Sequence, residues 1–149
     1  MHVSSKTSLP WQWVGYVFAG GCLGTLSRAG LSALWPVGDG VFPWVTFAIN
    51  LTGAFLLAFL LETLALRGPL AGRRKLIAVT VGTGFMGSFT TYSTFMLESE
   101  GLLTGGHLPL GALYLLGSIF LGLVAAGVGL LLAHSLFERV AEEAQEVRQ

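Results

Sequence analysis

Four long runs of apolar residues, separated by short connectors rich in glycine, proline and charge, dominate the sequence. A helix needs about 20 residues to cross a hydrocarbon core of about 30 Å. The runs have that length and predict membrane-spanning helices at residues 13–34, 44–64, 76–97 and 108–132. A run of charges in the tail, residues 134–149, is typical of a solvated helix. We therefore predict an all-α membrane protein with a single four-span domain over residues 1–149.

Composition supports the membrane assignment. Of the 149 residues, 53% are hydrophobic and only 11% are charged, and the mean hydropathy is +0.72. A soluble domain carries roughly a quarter charged residues, so a soluble globule is excluded. A chain of 15.8 kDa is also little material for an enclosed site, which makes an oligomer an expectation.

The basic residues are distributed unevenly between the two predicted sides of the membrane. Seven of the eight fall in the amino-terminal segment, the second connector and the tail, and they are Lys6, Arg67, Arg73, Arg74, Lys75, Arg139 and Arg148. The connectors on the other side carry only Asp39, Glu98 and Glu100. The positive-inside rule therefore predicts that both termini are cytoplasmic.

The chemistry that the sequence lacks narrows the function. It contains no zinc-protease, phosphate-loop, paired-cysteine or serine-hydrolase motif, so the chain is not predicted to be an enzyme. The predicted spans offer little for a proton-coupled pump, because Glu62 lies near the end of a span and Arg28 lies toward the outer end of the first. Arg28 is interpreted either as snorkelling to the surface or as a charge at an interface or ion entrance.

Neutral polar residues form stripes on two predicted spans. Thr46 and Asn50 are four residues apart in the second span, and Tyr114 and Ser118 have the same spacing in the fourth. Such spacing places each pair on one helix face. Stripes of small residues are often packing seams, but uncharged hydrogen-bond donors also suit a small, strongly hydrated anion.

The third run is weak as a continuous helix. Several glycines, serines and threonines fall between Gly82 and Thr91, and glycine costs about 1 kcal/mol relative to alanine in a helix. We predict an interruption near residues 87–91, tolerated where it is buried in protein or lines a polar cavity. Tyr92 and Phe95 follow on one face, either as packing aromatics or as positive ring edges that attract an anion.

A family resemblance covers all four runs. The segment GFMGSFTTYSTF, residues 84–95, closely resembles the third-span signature GFCGGxTTFSTF of the bacterial fluoride channels, the Fluc or CrcB family. The segment GGCLG with Arg28 is similar to that family's first-span motif, and TFAINLTGAF, residues 46–55, is similar to its second-span motif.

The resemblance implies a passive fluoride channel made of two antiparallel subunits, with pores at their interface. It also implies one structural Na⁺, not transported, held by the backbone carbonyls of Gly87 and Thr90 where the broken helices cross. Arg28 and Glu98 would lie near the vestibules. The implied ion pathway consists of Thr46, Asn50, Thr91, Tyr92, Phe95, Tyr114 and Ser118.

The second subunit is left open between two candidates. A dual-topology homodimer would need nearly balanced basic residues, whereas this chain is biased to one side. The alternatives are therefore an antiparallel homodimer and a heterodimer with an oppositely oriented paralogue, each in lipid of the bacterial inner membrane. Tyr92 stands where the family usually has phenylalanine, and its hydroxyl could bind or obstruct fluoride.

Two other classes of protein remain as alternatives. A small multidrug-type four-span transporter needs a carboxylate within its first span, and residues 13–34 contain none. A non-conducting membrane assembly subunit would explain the glycine spacing but not the clustered polar residues.

Overall fold

The chain folds entirely into helices over the part that the computed structural model describes, residues 11–146, with side chains described to residue 138. The elements in chain order are α1 (Trp11–Leu34), α2 (Trp44–Leu66), α3 (Gly72–Ile77), a π-helical segment (Ala78–Met86), α4 (Gly87–Phe89), α5 (Tyr92–Thr104) and α6 (Leu108–Glu146).

Three of the helices are long and apolar enough to cross a membrane: α1, α2 and the Leu108–Glu138 part of α6. The protein is therefore an all-helical, multi-pass membrane protein. The third predicted run differs, since it is divided among α3, the π-helical segment, α4 and α5.

The helix ends differ from the predicted limits in places. α1 begins at Trp11, α2 continues to Leu66, and α6 runs without interruption from the fourth predicted span into the tail. Glu98 was placed at the start of a connector because it is charged, but it lies inside α5. Its carboxylate accepts hydrogen bonds from neighbouring helices, which allows the helix to continue through it.

Two glycines of α1 allow the π-helical segment to pack directly against its backbone. A Cβ atom at Gly20 would collide with the Thr80 carbonyl oxygen, and one at Gly24 would collide with the Phe85 carbonyl oxygen. The glycines are four residues apart, and the two carbonyls are five apart, as fits the i→i+5 repeat of a π-helix. The small residues therefore form a backbone-to-backbone seam, a common way for helices to associate in lipid.

Glycines also bring the other helices together. Gly129 of α6 faces the Phe55 carbonyl of α2, with a separation of 2.5 Å from a Cβ built at that position. Where α5 packs on α6, Phe95, Leu102 and Tyr114 form a buried cluster. α2 therefore packs against α6, α6 against α5, and α1 against the π-helical segment and α4.

We expect Gly24→Ala to destabilise the protein by about 1–3 kcal/mol, because the added methyl overpacks the seam at the Phe85 carbonyl. The matched control is Gly30→Ala in the same helix, where a Cβ meets no atom within 4 Å. That change should be neutral or stabilising, since alanine is the better helix former. Unfolding of the two purified variants in detergent measures the difference, and equal stabilities would contradict the seam.

Candidate ion pathway

The helical path of the chain is interrupted at Thr90 and Thr91. Thr90 has φ −71° and ψ 155°, and Thr91 has φ −144° and ψ 121°, so both are extended. Gly87 remains helical, with φ −64° and ψ −23°. An interruption was predicted near residues 87–91. Gly87 and Ser88 remain helical in α4, and only the last two residues of the predicted range, Thr90 and Thr91, leave the helix.

Asn50 of α2 pairs with the extended backbone at the interruption. Its Nδ2 donates to the Thr91 carbonyl oxygen at 3.0 Å, and the Thr91 N–H donates to its Oδ1 at 2.9 Å. Both backbone polar groups of Thr91 are thereby satisfied by one side chain. Since a primary amide has two N–H donors, Asn50 retains a second donor beyond this pair.

Asn50 also changes the hydrogen bonding of α4. In a continuous helix the Gly87 carbonyl would accept from the Thr91 N–H, but that N–H donates to Asn50 instead. The Gly87 carbonyl is therefore released from its helical partner. The next carbonyl, that of Ser88, accepts from Nε of Arg28 at 3.2 Å.

Arg28 consequently lies at the carboxyl end of α4, where a cation is favoured by the unsatisfied carbonyls of a helix terminus. It was predicted as a charge at a vestibule or interface together with Glu98. In residues 11–138 the two side chains do not form an ion pair with each other, and each has other partners.

The amino end of α5 provides hydrogen-bond donors at the same place. Thr91 is its N-cap, and the Thr91 hydroxyl oxygen accepts from the Thr94 N–H at 3.2 Å. The first four N–H groups of a helix have no intrahelical partner, and side chains usually satisfy only some of them. The N–H groups of Tyr92 and Ser93 therefore remain as donors at a terminus that favours anions.

A groove of about 340 Å³ opens at the interruption. It includes four of the predicted pathway residues, namely Asn50, Thr91, Tyr92 and Phe95, and is completed by Gly53, Ala54, Leu57 and Thr90. No charged side chain lines it. The Thr90 methyl packs so closely on Gly53 that a Cβ atom there would collide with it. Gly53 thus lets α2 approach the interruption and bring Asn50 within reach.

The two aromatic residues of the groove have different surroundings. The Tyr92 side chain is largely exposed, at 76%, whereas Phe95 is buried at 7%. Their ring centroids are 6.5 Å apart with planes tilted by 52°. Phe95 also makes an edge-to-face contact with Tyr114 at 5.2 Å, so its ring separates the groove from the polar residues behind it.

Those residues form a second polar group around Glu98. Its carboxylate accepts from the Thr46 hydroxyl at 2.8 Å and from the Tyr114 hydroxyl at 2.7 Å. Thr46 and Tyr114 were predicted to offer their O–H groups to an anion, but here they donate to Glu98. Sequence reasoning missed this arrangement, because it depends on how α2, α5 and α6 pack together.

Ser118 completes the set of predicted pathway residues. Its hydroxyl oxygen is buried and has no hydrogen-bond partner among the described residues. The Thr80 hydroxyl, which is not a predicted pathway residue, is buried and unpaired in the same way. A larger groove of about 460 Å³ near Trp35 and Val45 is lined by apolar and aromatic residues and includes none of the predicted residues.

The carbonyls of Gly87 and Thr90 fit a hard cation of the sodium type. Half-helix ends and unwound carbonyls are known donors for Na⁺ in membrane proteins. Gly87 is exposed, and a Cβ built on it meets no atom within 4 Å, so its surroundings are open. Within the described residues no cluster of histidine, cysteine or carboxylate side chains offers an alternative metal site.

The fold and site together define a multi-pass helical membrane protein with an uncharged groove at a helix interruption. Residues 15–130 match the family described as "CrcB-like protein, Camphor Resistance (CrcB)", and the chain belongs to this family. The resemblance seen in the sequence motifs is thereby confirmed.

Several relatives are similar over most of their length. The chain is 48% identical to "Fluoride-specific ion channel FluC 1" of Cutibacterium acnes, over 77% of this chain and 80% of the relative. It is 47% identical to "Fluoride-specific ion channel FluC 2" of Leifsonia xyli, over 76% and 79%. It is 42% identical to "Fluoride-specific ion channel FluC" of Thermus thermophilus, over 80% and 94%.

We expect Asn50→Ala to destabilise the protein, because it leaves the partly buried Thr91 N–H and carbonyl without their protein partner. Each buried polar group left without a partner costs about 1–3 kcal/mol. Thr63→Ala in the same helix is the control, because the Thr63 hydroxyl donates only to the Phe59 carbonyl of its own helix. Equal unfolding midpoints for the two variants would show that the Asn50 pair is not structural.

Proposed function

We propose that this chain is a subunit of a passive, fluoride-selective channel that exports fluoride from the cytoplasm. The observation that carries the proposal is the groove beside the helix interruption at residues 90–91, which is lined by uncharged hydrogen-bond donors and by the Phe95 ring. The relatives named as fluoride-specific ion channels support it, since they match the chain across the segment that builds this groove.

The donors of the groove suit fluoride. This small anion holds water tightly, so a pathway must replace its hydration with several short hydrogen bonds. The second Nδ2–H of Asn50 and the first N–H groups of α5 are such donors, and the edge of the Phe95 ring carries partial positive charge. Without a lysine or arginine in the lining, binding remains weak enough for the ion to leave.

No energy coupling is needed for export. Hydrogen fluoride crosses membranes uncharged and dissociates in the more alkaline cytoplasm. The membrane potential, worth about 2.3 kcal/mol per charge per 100 mV, then drives the anion outward. This direction agrees with a location in the bacterial inner membrane, and both termini are cytoplasmic if the chain inserts in a single orientation.

In this proposal the third crossing in chain order, between α2 and α6, is made of several short helices. α3, the π-helical segment and α4 form its first half, and α5 forms its second half. Extended backbone inside a membrane must be satisfied by protein. Asn50 and Arg28 satisfy three of the backbone groups next to the interruption, which supports a crossing at this point.

A second subunit is part of the proposal because the groove is open on one side. Tyr92 is 76% exposed in the single chain, and Gly87 has open space beside it. An antiparallel partner would enclose both. The partner is either a second copy of this chain or an oppositely oriented paralogue. The one-sided basic residues are the reason for considering the paralogue, and the second copy stays open because basic residues in a loop need not govern insertion alone.

A structural Na⁺ at the centre of the dimer would be held by the Gly87 and Thr90 carbonyls. Two carbonyls from one chain are few ligands for a cation, so a partner's matching pair completes the set. The ion would supply positive charge to the carboxyl ends of the interrupted helices. Gly87 and Thr90 would provide their carbonyls for it, and Asn50 keeps the Gly87 carbonyl free of its helical partner.

The competing classes explain less of the structure. A small multidrug-type transporter would need a carboxylate in the first span, and α1 has none. A non-conducting assembly subunit accounts for the glycine seams but not for the uncharged hydrogen-bond donors that meet at the groove.

We expect liposomes containing this protein to release fluoride rapidly and chloride far more slowly. Phe95→Ile should lower the fluoride rate by about two- to tenfold, because it removes an aromatic interaction worth about 0.5–1.5 kcal/mol. Phe59→Ile is the matched control, since Phe59 stacks on Phe55 in α2 and lies outside the groove. A fluoride electrode records both rates.

The same assay separates the possible partners. Rapid flux from this chain alone identifies a homodimer, and flux only after adding an oppositely oriented paralogue identifies a heterodimer. Absence of fluoride flux in every pairing would contradict the channel.

We expect Na⁺ to raise the unfolding temperature of the assembled protein relative to N-methyl-D-glucamine at equal ionic strength. A ligand at 100 times its dissociation constant stabilises by about 2.7 kcal/mol. K⁺ should stabilise less, because a cage of fixed carbonyls distinguishes ion sizes. Identical unfolding curves in the three cations would argue against a sodium site.

A further inference from the structure

Basic and aromatic side chains meet at one end of the helices, away from the groove. The Lys75 ammonium lies 4.8 Å from the centroid of the Trp13 ring, a cation–π contact that joins the start of α3 to the start of α1. The connector between α2 and α3 is therefore at the same level as the amino end of α1.

Four basic residues of this region, Arg67, Arg73, Arg74 and Lys75, form what we call the basic connector. Its backbone is held in place by Arg74, whose Nη1 donates to the Arg67 carbonyl. Gly68 and Gly72 have φ values of 100° and 51°, which glycine adopts at little cost. The connector is thus a defined turn.

The charges of the basic connector are not neutralised within the described side chains. The ion pairs in residues 11–138 join His134 to Glu62 and to Glu138, and no carboxylate lies within 4.0 Å of the basic connector. Arg67, Arg73 and Lys75 are all exposed. Several positive groups within nine residues of chain therefore lack a counter-charge.

Apolar surface surrounds these charges. Trp11 is 79% exposed and Leu70 is 49% exposed. Tryptophans beside basic residues are typical of the headgroup level of a membrane, where the rings lie at the interface and the cations reach the phosphates. The opposite end differs, because the connector at residues 35–43 has Trp35 and Asp39 but no lysine or arginine.

We propose that the basic connector binds the phosphate of an anionic phospholipid, with the acyl chain beside Trp13 and Leu70. Juxtamembrane lysine and arginine residues attract anionic lipid, each by about fivefold in association constant. The opposite end of the helices has no matching group of basic residues, so the two ends of one chain differ in the lipids that they bind. The inference needs only a membrane-spanning chain and is independent of fluoride conduction.

Quenching by brominated lipids tests the proposal with two single-tryptophan proteins. One retains Trp13 and the other retains Trp44, at the opposite end, with the remaining tryptophans changed to phenylalanine. Each is placed in phosphatidylcholine vesicles that contain brominated phosphatidylglycerol or, separately, brominated phosphatidylcholine. Trp13 should be quenched more strongly by the anionic lipid, and Trp44 should be quenched equally by both.

Charge variants locate the site. Arg67→Gln/Arg73→Gln should lower the preference for phosphatidylglycerol at Trp13 by about tenfold or more, while Lys75 stays over the ring. Arg139→Gln/Arg148→Gln removes the same charge from the tail and should leave the preference unchanged. The same charge changes are also made in the protein that retains Trp44, where quenching by brominated phosphatidylcholine reports whether each variant is inserted in the bilayer.

Inorganic phosphate distinguishes a lipid from a free anion. At equal ionic strength, phosphate and chloride should leave the lipid preference the same. Equal quenching of Trp13 by the two brominated lipids, an equal loss in the tail variant, or displacement by phosphate would each overturn the proposal.

Discussion

The two hydrogen bonds between the Asn50 amide and the Thr91 backbone are the constraint on which the site depends. Extended backbone in a region without water must find partners in the protein, or each unpaired group costs about 1–3 kcal/mol. Gly53 is required next to this pair, because any side chain there would collide with Thr90 and keep α2 away from the interruption. Releasing the Gly87 carbonyl and starting α5 at Tyr92 are both consequences of satisfying Thr91 from α2.

One interruption produces two termini of opposite polarity within a few residues. The carbonyls that end α4 carry partial negative charge, and Arg28 is placed against one of them. The N–H groups that begin α5 carry partial positive charge and open into the groove. A chain without a charged residue in its groove can therefore present partial charges of both signs side by side. The backbone supplies the charge that side chains would otherwise bring.

The sequence was sufficient to predict the parts of the fold that depend on local chemistry. Apolar runs predicted α1, α2 and the apolar part of α6, and the glycine content of residues 82–91 indicated an irregular segment there. The position of the interruption was less predictable, because Asn50 on a different helix decides which residues leave the helix. The pairing of Thr46 and Tyr114 with Glu98 depends on how three helices pack, and no local pattern encodes it.

The seam between α1 and the π-helical segment has a consequence for how the chain can vary in evolution. Gly20 and Gly24 contact the carbonyl oxygens of Thr80 and Phe85, not their side chains. A larger residue at either glycine cannot be accommodated by trimming its neighbour, since every amino acid brings the same carbonyl. Second-site suppressors at positions 80 and 85 are therefore not available. Each glycine must therefore be retained on its own account, with no residue across the seam that covaries with it.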